Sequence, residues 1–171
     1  MTDYGLLAKQ IVSLAEVDAH CLPVLSNAAA LLWDALDDIN WAGFYLVDPV
    51  TVAGEGAELG VALSAPEPRT PELRLGPFQG KVACVRIPFG RGVCGTAAAT
   101  KTSQLVEDVH QFPGHIACDS ASNSEVVVPI FKDGQVVGVL DIDSPNVARF
   151  TQEDLAGLEQ VVKALESCTN F

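Results

Sequence analysis

The chain has 171 residues, 49% of them apolar; the length suits one domain, and the composition can bury a core without metals or disulfides as staples. A formal net charge of −12 argues against nucleic acid as a partner, because phosphate neutralisation needs clustered Lys and Arg, and Arg86, Arg91 and Lys101 are scattered. No apolar run reaches the roughly 18 residues of a membrane span. The opening Met1-Thr2-Asp3-Tyr4 lacks the basic and apolar regions of a secretory leader, so the expectation is a cytoplasmic protein with no membrane partner.

Residues 4–18 repeat apolar positions at helical spacing through Leu7, Ile11, Leu14 and Val17. Pro23 then sits where a helix can begin, and Leu25, Ala29, Leu32, Trp33 and Leu36 carry a second helix to Asp37–Asp38. Ile39–Val47 is aromatic and branched and reads as a strand. Asp48–Pro71, with four prolines and three glycines, reads as a long surface insertion between the first two strands. Strands are expected near Glu72–Leu75 and Ala83–Pro88, the latter after a Gly-Pro-Phe-Gln-Gly turn. A short helix follows from about Gly95 to Thr100, then a strand over Leu105–Val109 and a loop over His110–Asn123.

Ser124–Phe131 and Val136–Asp143 form a hairpin around Lys132-Asp133-Gly134-Gln135. Thr151 with Asp154 resembles a capping box opening a last helix, whose face carries Leu155, Leu158, Val162 and Leu165. Helices, hairpin-linked strands and a closing helix indicate an α+β fold on an antiparallel sheet, with residues 1–171 as one domain and 48–71 as its insertion.

Five cysteines, Cys21, Cys84, Cys94, Cys118 and Cys168, argue against a structural disulfide framework in a chain of cytosolic character. Cys118 lies in an irregular loop, where a thiol is available for chemistry, although a small buried apolar residue fits the same position. Cys84 at a strand start and Cys94 after Gly90-Arg91-Gly92-Val93 read as packing residues on their own, and Cys21 and Cys168 in the terminal helices carry no assigned role. Cys84, Cys94, His110, His115 and Cys118 contain no tight Cys-x-x-Cys couple, so no metal is expected. A Cys–His hydrolase with His115 or His110 as base lacks a nucleophile-turn motif.

Val137, Val139, Asp141 and Asp143 alternate onto one strand face, with Leu140 and Ile142 on the other. Two acids at i and i+2 need a bound cation, a shared proton or open solvent. A three-residue loop, Lys132-Asp133-Gly134, pairs Phe131 with Gln135 and sets Glu125 opposite Asp141, which builds a three-carboxylate cluster. A two-residue Asp133-Gly134 turn moves the register by one and sends Glu125 to the other face.

Together, Asn40–Leu46 (NWAGFYL), Leu75–Cys84 (LGPFQGKVAC), Gly90–Ala97 (GRGVCGTA), Val106–Asp119 (VEDVHQFPGHIACD), Ser122–Ile130 (SNSEVVVPI) and Gly138–Pro145 (GVLDIDSP) resemble the free methionine-(R)-sulfoxide reductases, a GAF-fold family. The match runs from Asp38 to the final helix and departs at the 48–71 insertion, where a short turn is expected. The resemblance implies a GAF-like, six-stranded antiparallel sheet flanked by helices, usually in a homodimer, acting on free methionine-(R)-sulfoxide with thioredoxin as reductant and no cofactor. It implies Cys118 as nucleophile, Cys84 as resolving cysteine and Cys94 as an auxiliary or alternative resolver. Glu125, Asp141 and Asp143 then line the substrate pocket, and Trp41 and Tyr45 supply its aromatic wall.

These residue types suit the chemistry. A sulfoxide sulfur becomes electrophilic once its oxygen is protonated, so a Cys118 thiolate needs an acidic partner, and Glu125 is favoured for that role. Asp141 and Asp143 can hold the substrate ammonium, backbone amides around Ile116 and Ala117 its carboxylate, and Trp41 its S-methyl group. Cys84 condenses with the resulting sulfenic acid, and an external dithiol reduces the disulfide. Two rival readings use the same frame. One is a ligand-sensing GAF module, against which stands the absence of an output domain or coiled-coil linker after the last helix. The other is a redox sensor cycling a Cys84–Cys118 disulfide without a substrate.

Overall fold

The computed structural model describes residues 2–47, 70–116 and 120–171. Most of the 48–71 insertion, together with Ala117 and Cys118, therefore lies outside the described residues.

Helix α1 spans Tyr4–Ala15, opened by the Asp3 carboxylate accepting from the Leu6 amide, and α2 spans Cys21–Ala35. Strand β1 (Trp41–Val47) precedes β2 (Glu72–Gly80) and β3 (Arg86–Pro88); helix α3 (Gly92–Thr100) leads into β4 (Gln104–Val106). A 3-10 turn at Val109–Gln111, β5 (Ser124–Lys132), β6 (Gln135–Ser144) and α4 (Gln152–Cys168) complete the order. The expected capping box is present: the Thr151 hydroxyl accepts from the Asp154 amide, and the Asp154 carboxylate accepts from the Thr151 amide. Among the described residues no helix is long and apolar enough to cross a membrane.

The six strands form one sheet in the order β3-β2-β1-β6-β5-β4, with every strand pair antiparallel. Alternation along the strands divides the core in two. One face presents Ala42, Phe44, Val126, Val128, Leu140 and Ile142 to Ile11, Leu25, Leu32, Leu158 and Leu165 of α1, α2 and α4. Each large side chain buried there contributes about 1.5–3 kcal/mol. The other face carries Trp41, Tyr45, Val127 and Val139 and is covered by α3 through Val93, Cys94 and Ala97.

Several expectations are corrected. In α1 the buried stripe is Leu7, Ala8, Ile11 and Ala15; Leu14 is exposed because Ala15 takes the inward place in the last turn, and Val17 because the helix stops at Ala15. Trp33 is also partly exposed. Gly-Pro-Phe-Gln-Gly is not a turn. It continues β2 to Gly80, with Gly43 opposite Phe78 and Tyr45 opposite Leu75, so Gly76 and Pro77 together face Phe44. That bulge accommodates a proline, which has no amide hydrogen for the ladder. Cys84 consequently lies in the irregular segment between β2 and β3 rather than at a strand start. Helix α3 begins three residues earlier than expected and includes Cys94, and the strand expected over Leu105–Val109 stops at Val106.

The β5–β6 hairpin closes through a two-residue turn, with Lys132 paired to Gln135, and Asp133 (φ 50) and Gly134 (φ 76) both left-handed. The register then shifts: Phe131 pairs with Val136 but Ile130 pairs with Gly138, leaving Val137 as the extra residue of a bulge. The shift sets Glu125 opposite Asp143, not Asp141 and not on the far face. It also turns Val137 toward the helical core, away from the face of Val139.

Candidate active site

The α3-covered face of the sheet holds rows of side chains fixed by strand register. Asp143 lies between Trp41 of β1 and Glu125 of β5, and Asp141 lies between Gly43 and Val127. Tyr45 pairs with Val139 one step further along. All three expected carboxylates and both expected aromatics are therefore on one surface. Glu125 and Asp141 are buried, each 6% exposed, while Asp143 is half-buried.

The aromatic wall is built around an absent side chain. The Trp41 ring stacks on Tyr45 (centroids 5.7 Å apart) and on Phe78 (5.3 Å), and its Nε1 donates to the Lys81 carbonyl at 3.2 Å. A Cβ at Gly43 would stand 2.7 Å from Cη2 of Trp41 and 2.3 Å from Cβ of Phe78, so only glycine lets the indole lie across β1. Phe78 is a wall residue that the sequence reading missed. Its signal was hidden by the flanking Gly and Pro, which read as a turn.

Cys94 comes from the first turn of α3, where Gly90, Gly92 and Gly95 let the helix start tightly. The Gly90 amide donates to the Gly95 carbonyl at 2.7 Å, and a Cβ at Gly95 would meet the Pro88 carbonyl at 2.3 Å. The Cys94 thiol donates to Glu125 Oε1 at 3.8 Å. Its sulfur and one oxygen from each of Glu125 and Asp141 lie within 4.8 Å of one another, close enough to share a cation or protons. Burial, then the charges of Asp141 and Asp143, raise Glu125 well above the carboxylate range, and burial pushes Asp141 up to about 6. Burial, with Asp141 and Glu125 next, also raises Cys94, outweighing the helix N-terminus that would otherwise favour a thiolate. Oδ1 of Asp141 is buried without a hydrogen-bond partner among the described residues, in a site where a bound donor would satisfy it.

The two histidines of the 110–123 segment part company. Nε2 of His110 meets Oδ1 of Asn123 at 2.9 Å at the surface, whereas Nε2 of His115 lies 3.9 Å from Oε2 of Glu125. That second contact is not an ion pair. Burial, then His110, lowers His115 below the usual imidazole range, and its carboxyl partner holds a proton. Ile116 packs over Gly92 at the mouth of α3. Cys84, half-buried beside the aromatic wall, is disulfide-bonded, whereas Cys21, Cys94 and Cys168 are free thiols, Cys21 and Cys168 lying on helices of the opposite layer.

A family model described as a GAF domain matches residues 30–167. The free methionine-R-sulfoxide reductase of Escherichia coli is 49% identical over 163 residues, covering 95% of this chain and 86% of the relative. That of Saccharomyces cerevisiae is 48% identical over 169 residues, covering 95% and 83%. Among solved structures, the fRMsr of Staphylococcus aureus in its reduced form superposes with a TM-score of 0.83 at 49% identity, covering 99% of this chain and 97% of that one. The free methionine-R-sulfoxide reductase of Neisseria meningitidis, solved in complex with its substrate, gives 0.81 at 42% identity, covering 96% and 86%. With the GAF sheet, the acid row and the aromatic wall in place, this chain belongs to the free methionine-R-sulfoxide reductase family.

Proposed function

We propose that this protein reduces free L-methionine-(R)-S-oxide to L-methionine with Cys118 as nucleophile. The observation that carries this reading is the buried Glu125–Asp141 pair, which holds proton density beside a half-buried Asp143 and a stacked aromatic wall. A sulfoxide asks for that combination: a proton donor for an oxygen that leaves poorly as oxide, and negative charge for the ammonium of a free amino acid. The Cys118 thiolate attacks the sulfoxide sulfur while Glu125 protonates the oxygen. The hydroxyl passes from the substrate sulfur to the Cys118 sulfur as the S–O bond and the transient S–S bond break, so the substrate sulfur gains two electrons, Cys118 loses two, and Cys118 is left as a sulfenic acid. Cys84 displaces water from that sulfenic acid to form a disulfide, a role its disulfide-bonded state supports, with Cys94 as alternative resolver.

Asp141 and Asp143 hold the ammonium, Ile116 and Ala117 amides hold the carboxylate, and Trp41 with Tyr45 encloses the methylthio end. The identity of the substrate is supported by the names of the close relatives. Thioredoxin as reductant, a homodimeric assembly, a cytoplasmic setting and a single domain over 1–171 complete the proposal.

The test is single turnover. Pre-reduced protein freed of dithiol is mixed with excess R or S epimer, beside the Cys118→Ser variant. One methionine per chain from the R epimer, loss of two thiols and no product from the variant are expected. Absence of methionine from folded, reduced protein would leave a binding module or a thiol sensor.

A further inference from the structure

We propose that Cys94, Glu125 and Asp141 form a binding site for a zinc-like divalent cation, which holds the acid row against the substrate ammonium and so inhibits turnover. The inhibition rests on the reductase reading above; the binding site does not. Its three donors come from three elements. Glu125 of β5 and Asp141 of β6 are diagonal neighbours on one sheet face, since Glu125 pairs with Asp143 and Val127 with Asp141. Helix α3 lowers Cys94 onto them, its start fixed by the close approach of Gly95 to the Pro88 carbonyl. No spacing motif announces such a set, because its members are far apart in sequence.

Two observations point to a cation. The Cys94 sulfur and one oxygen from each carboxylate lie within 4.8 Å of one another, and Sγ stands 3.8 Å from Oε1 of Glu125. Around tetrahedral zinc, with Zn–S about 2.3 Å and Zn–O about 2.1 Å, a sulfur and an oxygen ligand are about 3.6 Å apart, so closing on the metal takes only small side-chain movements. The second observation is Oδ1 of Asp141. The residue is 6% exposed, and this oxygen has no hydrogen-bond partner among the described residues. A buried acceptor of that kind is costly until something donates to it or is coordinated by it.

The donor set selects the ion. One thiolate with two carboxylates suits zinc and its softer relatives, whereas magnesium and calcium take oxygen ligands. Three protein ligands leave one of four positions to water, beside His115, whose Nε2 lies 3.9 Å from Oε2 of Glu125. Binding displaces the protons that these groups carry. The charge of the metal also offsets Asp143, the partner of Glu125 across the ladder. Because the same row receives the ammonium in the reductase reading, cation and substrate exclude each other.

The experiment uses Co²⁺ as probe and the protein with its Cys84 disulfide intact, which leaves Cys94 as the free thiol of the site. Titration should bind one equivalent with a thiolate-to-cobalt band in the near ultraviolet, and Zn²⁺ should displace the Co²⁺. A Cys21→Ser/Cys168→Ser variant should behave alike. Cys94→Ala should lose the band, and Asp141→Asn should weaken binding by more than the roughly 10–100-fold that outer-shell partners cost. Excess methionine-(R)-sulfoxide should weaken Zn²⁺ binding further than glycine does, since glycine chelates zinc through the same amino and carboxylate groups but lacks the methylthio end. No band, or one that survives Cys94→Ala, overturns the site. Binding that the sulfoxide weakens no more than glycine does overturns the inhibition. Metal-free wild type that forms no methionine in a single turnover removes the reductase reading and leaves the site standing.

Discussion

Glu125 stands directly opposite Asp143, whose other flank is Trp41, and this three-residue row exists because Val137 is bulged out of β6. The type of turn alone would have placed Glu125 opposite Ile142, pointing a carboxyl into the packed helices behind the sheet. One extra residue in one strand re-phases the hairpin and delivers the acid to the site face.

Replacing Glu125 by Gln keeps the shape and a hydrogen-bonding end but removes the transferable proton. Methionine formation in one turnover should fall by about 10²–10³-fold. The thermal midpoint at pH 8 should hold or rise, because a buried carboxyl beside Asp141 and Asp143 is no longer asked to ionise. A variant that keeps the wild-type rate would remove Glu125 as the donor.

Stability should depend on pH in a direction set by the same cluster. A carboxyl that binds its proton more tightly folded than unfolded stabilises the fold fully below its unfolded pKa, and that contribution is lost as pH rises through the folded value. For Asp141 the window runs from 3.8 to about 6. Asp154 acts oppositely, since hydrogen bonds from Tyr4 and Thr151 outweigh its burial and lower it, so the reading is the difference between wild type and Asp141→Asn. Wild type should lose midpoint temperature relative to the variant between pH 4 and pH 7, and excess methionine should restore part of it by supplying an ammonium. A difference that is flat or grows in favour of wild type over that range would contradict the shared-proton picture.

Much of this was legible in the sequence because local rules set it. The capping box at Thr151 and Asp154, the periodic face of α4, that of α2 apart from Trp33, and the alternation of Asp141 with Asp143 follow from spacing, and the structure places them as read. The two bulges were not legible. Gly76-Pro77 and Val137 have the composition of a turn and of ordinary strand, and what makes them bulges is the register demanded by neighbouring strands. Phe78 was lost to the first bulge and the partner of Glu125 to the second. His115 was visible as a base candidate, but its nearness to Glu125 depends on how the loop folds over the sheet.

Gly43→Ala tests the wall. The new methyl would press on Trp41 and Phe78 at distances no Cβ tolerates, so the rings must separate. The expected cost is about 1–3 kcal/mol of stability, as for other overpacked cores. Substrate affinity should fall more than the rate at saturation, and the Trp41 emission should shift as its ring leaves Tyr45. Unchanged affinity with the stability loss would show that the indole does not contact the ligand.

The hairpin offers a paired test of the bulge itself. Deleting Val137 removes the extra residue while the Asp133-Gly134 turn still favours a two-residue loop. Without it, Phe131 still pairs with Val136 and Ile130 with Gly138, so the two-residue turn and the Glu125–Asp143 pairing coexist in a regular ladder. We expect the deletion to keep most of the single-turnover rate. Removing Gly138 as well moves β6 by one more step, sets Glu125 opposite Ser144 and takes the acid row apart. That double deletion should lose substrate binding and melt earlier. Retained activity in the single deletion would show that the site needs the register and not the bulge. A single deletion that folds to the wild-type midpoint yet is inactive would mean that Val137 shapes the site in another way, and the register argument would fail at its strongest point.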